Sequence, residues 1–357
     1  VGEDVGSVGL VTVNGGGSFN LGGNLVVGYG GTGKLEITGG GAVTTGNQGL
    51  IAYFGSSKGT VTVAGPGSVW NLGNSLQVGR EGTGELIISG GGIVSTASAP
   101  LIQDFRTIGA QRGSNGKVTV TGAGSAWHGN GNLGVGGEGT GALTIPAGGL
   151  VTSATAIVGS GVDGVGSATV TGENASWTNS DQLFVGFFGK GTLSIGDGGA
   201  ATSTTAFIGY GADSTGVVSV TGANSTLANS ADLLVGYSGT GTLSIADGGA
   251  ATNAAAAIGY AAGFSGRVTV TGPGSTWTNR NELFVGTFGA GVLDIADGGI
   301  VSGTAGFIGR NAGSSGIARV EGPGSTWMSS STLYVGNAGS GTLTIAGGGS
   351  VTASQIR

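Results

Sequence analysis

The sequence contains no cysteine, 5 prolines and 1 histidine, and charged residues make up only 8% of its 357 positions. Without cysteine, disulfides and thiolate-bound metals are excluded, and one histidine leaves too few ligands for an ordinary transition-metal site. That histidine, His128, follows Trp127 and has no serine nucleophile motif or paired carboxylate nearby. The sequence therefore predicts no enzyme, no metal site and no cofactor.

Long apolar runs and clustered charges are also absent. No run reaches the roughly 18 apolar residues of a membrane-spanning helix. The first ten residues lack the basic start and apolar core of a signal peptide, so we expect an excised segment of a longer protein. The net charge is −6 and no Lys or Arg run occurs, which predicts neither nucleic-acid binding nor membrane insertion by this segment.

Glycine is abundant, with 85 residues, yet hydrophobic residues still make up 38% of the chain. So much glycine is typical of disordered or low-complexity chains. The mean hydropathy of +0.28 indicates instead that enough apolar surface is present to form a core.

A repeat explains this composition. The tripeptide that begins at Val118 recurs at positions 168, 218, 268 and 318, and earlier copies begin at Val11 and Val61. The step from 61 to 118 carries seven extra residues. A second motif, L-x-V-G followed by a glycine-rich turn and L-x-I, begins at Leu25 and recurs six more times. The two motifs are related, so the structural period is about 25 residues, doubled to 50 in sequence.

Apolar and polar residues alternate within each half, as at Leu243 and Ile245 with Thr242 and Ser244. This alternation predicts short strands with one buried face, and coils without helices bury that face by stacking on one another. We predict an all-β right-handed parallel β-helix, a single domain of seven double-coil repeats over residues 1–357. A seven-bladed β-propeller is the alternative, but the likeness of the two halves favours coils.

The motifs L-x-V-G-x-x-G-T-G-x-L-x-I-x-x-G-G and V-T-V-T-G-x-G-S-x-W resemble the repeats of autotransporter passenger domains of type V secretion, a class shared with PEP-CTERM proteins. The resemblance covers essentially the whole chain. It implies display on a Gram-negative cell surface, a C-terminal outer-membrane barrel in the full-length protein, and a role in adhesion, self-association or biofilm formation. The implied partner is another copy or a host-surface protein or glycan. An inert stalk that presents another domain is the alternative.

Particular motifs in the sequence disfavour other activities. The stretch 28–34 lacks the Ser or Thr of a phosphate-binding loop, because Leu35 follows Lys34. Aspartates at 197, 247 and 297 recur only every second coil, about 10 Å apart, so they predict turn stabilisation instead of a shared calcium ion. Outward Thr and Ser ladders are interrupted by charged residues, which disfavours ice binding. The clustered Asp residues of polysaccharide-active β-helices are missing.

Aromatic residues give the best functional lead. Phe284 lies between Leu283 and Val285, which are expected to point inward, so Phe284 is expected to point outward. These residues are expected to form an exposed aromatic stripe, confined to the C-terminal half, that contacts a partner; the alternative is a set of isolated aromatic residues that neighbouring turns cover. Its members are Phe184, Phe284 and Tyr334, with Phe187, Tyr237, Tyr210 and Tyr260 at nearby turn positions.

The seven extra residues predict a loop near 99–107 that projects from the solenoid or folds over a corner. Leu101, Ile102 and Phe105 in that loop are candidate contact residues.

All five tryptophans occupy the same place in the repeat, and Leu227 takes that place in the unit that lacks one. Replacement by leucine is more typical of packing than of ligand stacking, so these residues are predicted to form the seam of the solenoid. They are Trp70, Trp127, Trp177, Trp277 and Trp327.

Overall fold

The computed structural model describes residues 1–97 and 106–357, and every regular element in this part of the chain is a β-strand. The chain divides into two compact units, residues 1–180 with 189–191 and residues 181–188 with 192–357.

The first unit contains the strands β1 (Val8–Val13), β2 (Ser18–Leu21), β3 (Leu25–Val27), β4 (Thr32–Thr38), β5 (Ala42–Thr45), β6 (Gly49–Ile51), β7 (Lys58–Ala64), β8 (Val69–Leu72), β9 (Leu76–Val78), β10 (Thr83–Ser89), β11 (Ile93–Thr96), β12 (Arg106–Ile108), β13 (Asn115–Thr121), β14 (Ala126–Gly129), β15 (Leu133–Val135), β16 (Thr140–Ile145), β17 (Leu150–Ser153), β18 (Ala156–Val158), β19 (Val165–Thr171) and β20 (Ser176–Asn179).

The second unit contains the strands β21 (Gln182–Val185), β22 (Lys190–Gly196, whose first two residues belong to the first unit), β23 (Ala200–Ser203), β24 (Thr205–Ile208), β25 (Thr215–Thr221), β26 (Thr226–Asn229), β27 (Leu233–Val235), β28 (Thr240–Ala246), β29 (Ala250–Asn253), β30 (Ala256–Ile258), β31 (Ser265–Thr271), β32 (Thr276–Asn279), β33 (Leu283–Val285), β34 (Ala290–Ala296), β35 (Ile300–Gly303), β36 (Gly306–Ile308), β37 (Ser315–Glu321), β38 (Thr326–Ser329), β39 (Thr332–Val335), β40 (Ser340–Ala346), β41 (Ser350–Thr352) and β42 (Gln355–Ile356).

Within each unit every third strand pairs in parallel, which makes three sheets. In the first unit sheet A runs from β1 to β19, sheet B from β2 to β20 and sheet C from β3 to β18. In the second unit sheet A runs from β22 to β40, sheet B from β23 to β41 and sheet C from β21 to β42. Each turn of chain thus adds one strand to each sheet, about 14 turns in the two units together. The predicted parallel β-solenoid is confirmed.

The register gives the length of a turn. In the second unit Thr240 lies beside Ser265 and Ser265 beside Ala290, steps of 25 residues. In the first unit Thr83 lies beside Asn115, a step of 32, so this turn holds the seven extra residues. Residues 98–105, and with them the candidate contact residues Leu101, Ile102 and Phe105, lie outside the described part of the chain.

The interior alternates between two kinds of layer. One turn of the second unit places two valines on sheet A, a tryptophan on sheet B and a leucine on sheet C. The next turn places a leucine and an isoleucine on sheet A, a valine opposite the tryptophan on sheet B, and a glycine opposite the leucine on sheet C. The first layer is Val268, Val270, Trp277 and Leu283, and the second is Leu293, Ile295, Val301 and Gly306. Large side chains on sheets B and C of one turn therefore meet smaller ones on the same sheets of the next turn, while sheet A carries the larger pair in that next turn.

The tryptophans lie in these layers and are 0–1% exposed. Trp277 lies between Ala251 and Val301 of the adjacent turns. The indoles also reach toward sheet C of the preceding turn: a Cβ added to Gly306 would lie 2.9 Å from Cζ2 of Trp327. Because a tryptophan needs small neighbours in the adjacent layers, the sequence repeats every two turns.

A polar column runs through the buried ends of the sheet B strands. Asn253 Nδ2 donates hydrogen bonds to Asn279 Oδ1 at 2.7 Å and to the carbonyl of Ala255 at 2.9 Å. Trp277 Nε1 donates to Asn253 Oδ1 at 2.8 Å. Asn253 is 0% exposed, so these bonds replace all of its contacts with water.

The aspartates at 197, 247 and 297 adopt φ values of 51°, 52° and 50°. Aspartate tolerates this left-handed conformation better than most residues. At the equivalent corner of the turn that contains β4, Gly39 has a φ of 55°. The geometry accounts for these aspartates as corner residues.

Replacing Trp277 by Ala is expected to lower the free energy of unfolding by about 3–5 kcal/mol, because it leaves a cavity across two layers. Trp277→Leu is expected to cost less, since Leu227 fills the same position two turns earlier. Phe288→Ala is the matched control, because Phe288 is 47% exposed. Denaturant unfolding followed by circular dichroism measures all three, and equal midpoints for Trp277→Ala and Phe288→Ala would contradict the layer model.

Replacing Asn253 by Ala is expected to lower the free energy of unfolding by roughly 2–4 kcal/mol, because it leaves Trp277 Nε1 and Asn279 Oδ1 buried without this partner. Asn281→Ala is the control, because Asn281 is exposed on the same turn as Asn279. Urea unfolding of both variants checks the prediction, and a loss below 0.5 kcal/mol at Asn253, in the range of ordinary surface substitutions, would show that the column does not stabilise the interior.

Candidate contact surface

Two outward positions recur on every turn beside sheet C of the second unit. The first is the middle of the sheet C strand, where Phe284 lies between the buried Leu283 and Val285. The second lies three residues later, after a glycine. We name the first set the strand column, which contains Phe184, Phe207, Leu234, Ala257, Phe284, Phe307 and Tyr334. We name the second set the turn column, which contains Phe187, Tyr210, Tyr237, Tyr260, Thr287 and Arg310.

The glycine before each turn-column residue fixes the position of that residue. Gly236 has a φ of 71°, and a Cβ on it would lie 2.1 Å from the carbonyl oxygen of Ser265. The next residue, Tyr237, donates its backbone N–H to the carbonyl of Gly209 at 2.9 Å. Each turn therefore places its side chain directly over that of the preceding turn.

Four aromatic rings of the turn column stack continuously. The ring centroids of Phe187 and Tyr210 are 5.0 Å apart, those of Tyr210 and Tyr237 5.1 Å, and those of Tyr237 and Tyr260 4.9 Å. The interplanar angles are 13°, 3° and 13°. The strand spacing of about 4.8 Å sets these distances, and near-parallel stacking follows from it.

The strand column stacks in two separate groups. Phe184 and Phe207 form one, at 4.9 Å. Phe284, Phe307 and Tyr334 form the other, at 5.2 and 4.7 Å. The two columns also meet edge to face, as between Phe184 and Phe187 at 4.9 Å and 71°. The two columns together form the aromatic surface, in which Phe284, Phe307 and Tyr334 make a separate stack beyond Leu234 and Ala257.

The expected exposure of the stripe is corrected in part. Phe184 points away from the interior but is only 7% exposed, because Phe187, Phe207 and Tyr210 pack around it. The other predicted members are half-buried in the same way: Phe284, Tyr334, Phe187, Tyr237, Tyr210 and Tyr260.

Sequence comparison at the 50-residue period missed Phe207 and Phe307, since they lie on the intervening turns. It also missed the residues after the turn column. Phe188 is 44% and Phe288 47% exposed, which makes them the most accessible rings of this surface. The sequence could have indicated them, because both phenylalanines occupy the same position of the repeat, directly after Phe187 and Thr287.

In the described part of the first unit the strand positions hold no aromatic residue, but aromatic residues do occur at the turn position. The first unit has a smaller cluster, in which Tyr29 and Tyr53 stack at 5.2 Å and Phe54 packs edge-on against both. The guanidinium of Arg80 lies 4.2 Å from the Tyr53 ring centroid. The second surface arises at the same turn position as the first, because Tyr29 also follows a positive-φ glycine, Gly28.

Arg106 is a buried charge that sequence reasoning also missed. It lies on sheet C beside Leu133, is 2% exposed, and its Nη2 donates to the carbonyls of Gly131 at 3.0 Å and Thr152 at 3.1 Å. Burial lowers the pKa of Arg106 to about 10, so the side chain stays protonated at neutral pH. A Cβ on Gly129 would lie 2.4 Å from its Cζ, so glycine provides the space. The group lies inside the first unit and has no access to an external ligand.

Three further observations concern the described residues alone. No three potential metal ligands among His, Cys, Asp and Glu lie close enough to hold an ion. None of these residues forms a helix long and apolar enough to cross a membrane. His128 is half-exposed on sheet B.

A narrow cleft lies where both columns lose their rings. Its cavity volume is about 100 Å³, and its lining includes Ala257, Tyr260, Phe284, Thr287 and Arg310. Ala257 and Thr287 are 4% and 3% exposed and form its inner side. The guanidinium of Arg310 lies 4.2 Å from the ring centroid of Phe284. The cleft therefore combines aromatic rings with a hydroxyl and a cation.

Comparison with known proteins leaves the family open. No protein-family model matches the sequence, and no curated protein matches it. Among solved structures, the chain is similar to the crystal structure of a TibC-catalysed hyper-glycosylated TibA55-350 fragment. The identity is 19%, the TM-score is 0.39, and the match covers 98% of this chain and all of the other.

Proposed function

We propose that the chain is a non-catalytic, surface-displayed passenger segment that acts in adhesion, self-association or biofilm formation. The motif resemblance to autotransporter passenger repeats supports surface display on a Gram-negative cell. The aromatic surface of the second unit supports contact with a partner, either another copy of the chain or a host-surface protein or glycan.

The observation that carries the proposal is the exposure of Phe188 and Phe288 at the edge of a stacked aromatic surface. Phe188 packs on Phe187 at 4.3 Å and Phe288 on Tyr260 at 6.1 Å, so stacked rings hold both side chains. A held aromatic side chain loses little conformational entropy on binding, and burying its exposed part contributes roughly 1–2 kcal/mol. Repetition along the solenoid and on many copies then strengthens weak contacts through avidity.

A rigid β-solenoid with regular interior layers also suits an inert stalk that presents another domain. The two functions differ in a simple way. A stalk gives monomeric particles that bind nothing, whereas an adhesive segment clusters or attaches to cells when it is displayed in many copies.

The double substitution Phe188→Ser with Phe288→Ser is expected to reduce clustering or cell attachment of chain-coated beads at least fivefold. Two exposed rings are removed, and the loss is multiplied over many contacts per bead. Light scattering measures clustering, and microscopy measures attachment to cells. Circular dichroism is expected to stay unchanged, because neither ring lies in the interior.

The matched control is Val217→Ser with Met328→Ser, which removes two other apolar side chains of the second unit that are 38% and 42% exposed. This variant is expected to cluster and attach like the unchanged chain. Beads of unchanged chain that neither cluster nor attach would favour the stalk, and equal losses in both double variants would show that the aromatic surface has no special role.

A further inference from the structure

We infer that the cleft at Ala257 binds one neutral pyranose ring of a glycan. This inference rests on the proposed function in one respect, since it names a ligand for the aromatic surface. The binding step itself is measured on the soluble chain and does not depend on adhesion.

The shape of the cleft follows from the interruption of the two columns. On either side of Ala257 the strand column holds Leu234 and Phe284, and the turn column ends its stacked rings at Tyr260. Thr287 takes the place of the next ring. Ala257 and Thr287 thus occupy positions at which other turns carry aromatic rings. The resulting gap is bordered by Tyr260 and Phe284.

The size of the gap limits the ligand. A cavity of about 100 Å³ holds roughly three water molecules. This is too small to enclose an extended ligand, since pockets that do so measure about 300–1,000 Å³. It suits a single six-membered ring that rests one face against the aromatic side chains. The C–H groups of a pyranose provide such an apolar face.

The polar groups decide which kind of ring fits best. Asp232 lies at one part of the rim and offers only hydrogen-bond acceptors, while Arg310 offers only donors. In the described part of the chain no ion pair involves Arg310. Opposite charges at one small cleft disfavour both a simple anion and a simple cation. Hydroxyl groups both donate and accept, so a neutral polyhydroxylated ring can pair with both residues.

Thr287 provides an independent observation. It lines the cleft and is 3% exposed, and within residues 1–97 and 106–357 its Oγ1 has no hydrogen-bond partner. A buried hydroxyl without a partner is costly, and natural structures retain few of them. A ligand hydroxyl is a partner that would satisfy this oxygen. A flat aromatic ring or an aliphatic side chain would leave it unpaired.

The experiment is saturation-transfer NMR with the 357-residue chain and three probes: methyl β-glucopyranoside, methyl β-galactopyranoside and methyl α-mannopyranoside. At least one is expected to receive saturation on its ring C–H protons and to bind in roughly the millimolar range, as suits one ring on an open cleft. Phenol is the counter-probe. Saturation of phenol with none on the three glycosides would overturn the assignment to a saccharide.

Two variants place the site. Ala257→Leu fills the cleft with the residue that the preceding turn already carries at this position, and it is expected to abolish the signal. Thr287→Val removes the hydroxyl and keeps the shape, so it is expected to weaken binding five- to tenfold while the melting temperature stays equal or rises. Thr278→Val, on the exposed face of sheet B, is the control and is expected to bind unchanged.

The outcomes are separable from those of the adhesion test. Glycoside binding that survives Ala257→Leu would overturn the site, whatever the beads do. Loss of clustering in the Phe188 and Phe288 variant with intact glycoside binding would support both proposals, because those two residues lie outside the cleft lining. Absence of saturation for all probes would overturn the inference and leave the bead experiment unaffected.

Discussion

The spacing of about 4.8 Å between stacked strands is the constraint on which this structure depends. Indoles extend beyond their own layer: a Cβ on Gly49 would lie 2.8 Å from Cζ2 of Trp70, and one on Gly306 would lie 2.9 Å from Cζ2 of Trp327. These tryptophans therefore also occupy space that belongs to the adjacent turn. Val301 and Gly306 leave that space around Trp277 and Trp327, and Leu293 with Ile295 restore part of the lost volume on sheet A. The 50-residue sequence period is thus a packing requirement, while the backbone period stays at about 25.

On the outer surface of the solenoid the same strand spacing has a different effect. Side chains on the surface have lateral room, so no alternation between large and small residues is required, and rings can recur on every turn. Strand spacing then matches the distance of stacked aromatic rings, as between Tyr210 and Tyr237 at 5.1 Å. A column of rings covers part of each member, which is why Phe184 is nearly buried although it points away from the interior. Exposure moves to side chains that have no ring above them, such as Phe288.

The 25-residue period of the backbone and the 50-residue period of the sequence determine which features could be predicted from the sequence. The solenoid could be predicted, because the alternation at positions such as Leu243 and Ile245 repeats in every turn. Phe207 and Phe307 were missed because alignment at 50 residues compares only alternate turns. The burial of Phe184 depends on Phe207 and Tyr210 of the following turn, which comparison at the 50-residue period leaves out. Arg106 follows the seven extra residues, so the repeat pattern could not assign it to an interior position normally held by a small residue such as Gly49 or Ala156.

These relations also separate scaffold from function. Features that occur in every turn, including the corner glycines and the buried aliphatic residues of sheet A, are needed for stacking and carry no information about a ligand. Departures from the pattern that packing does not require are the informative ones. Ala257 and Thr287 are such departures, because larger side chains occupy the same columns on either side and the interior beneath is regular. An accidental gap would be expected to be apolar throughout. Here it coincides with an unpaired hydroxyl and two opposite charges, and that coincidence favours a binding site over a packing defect.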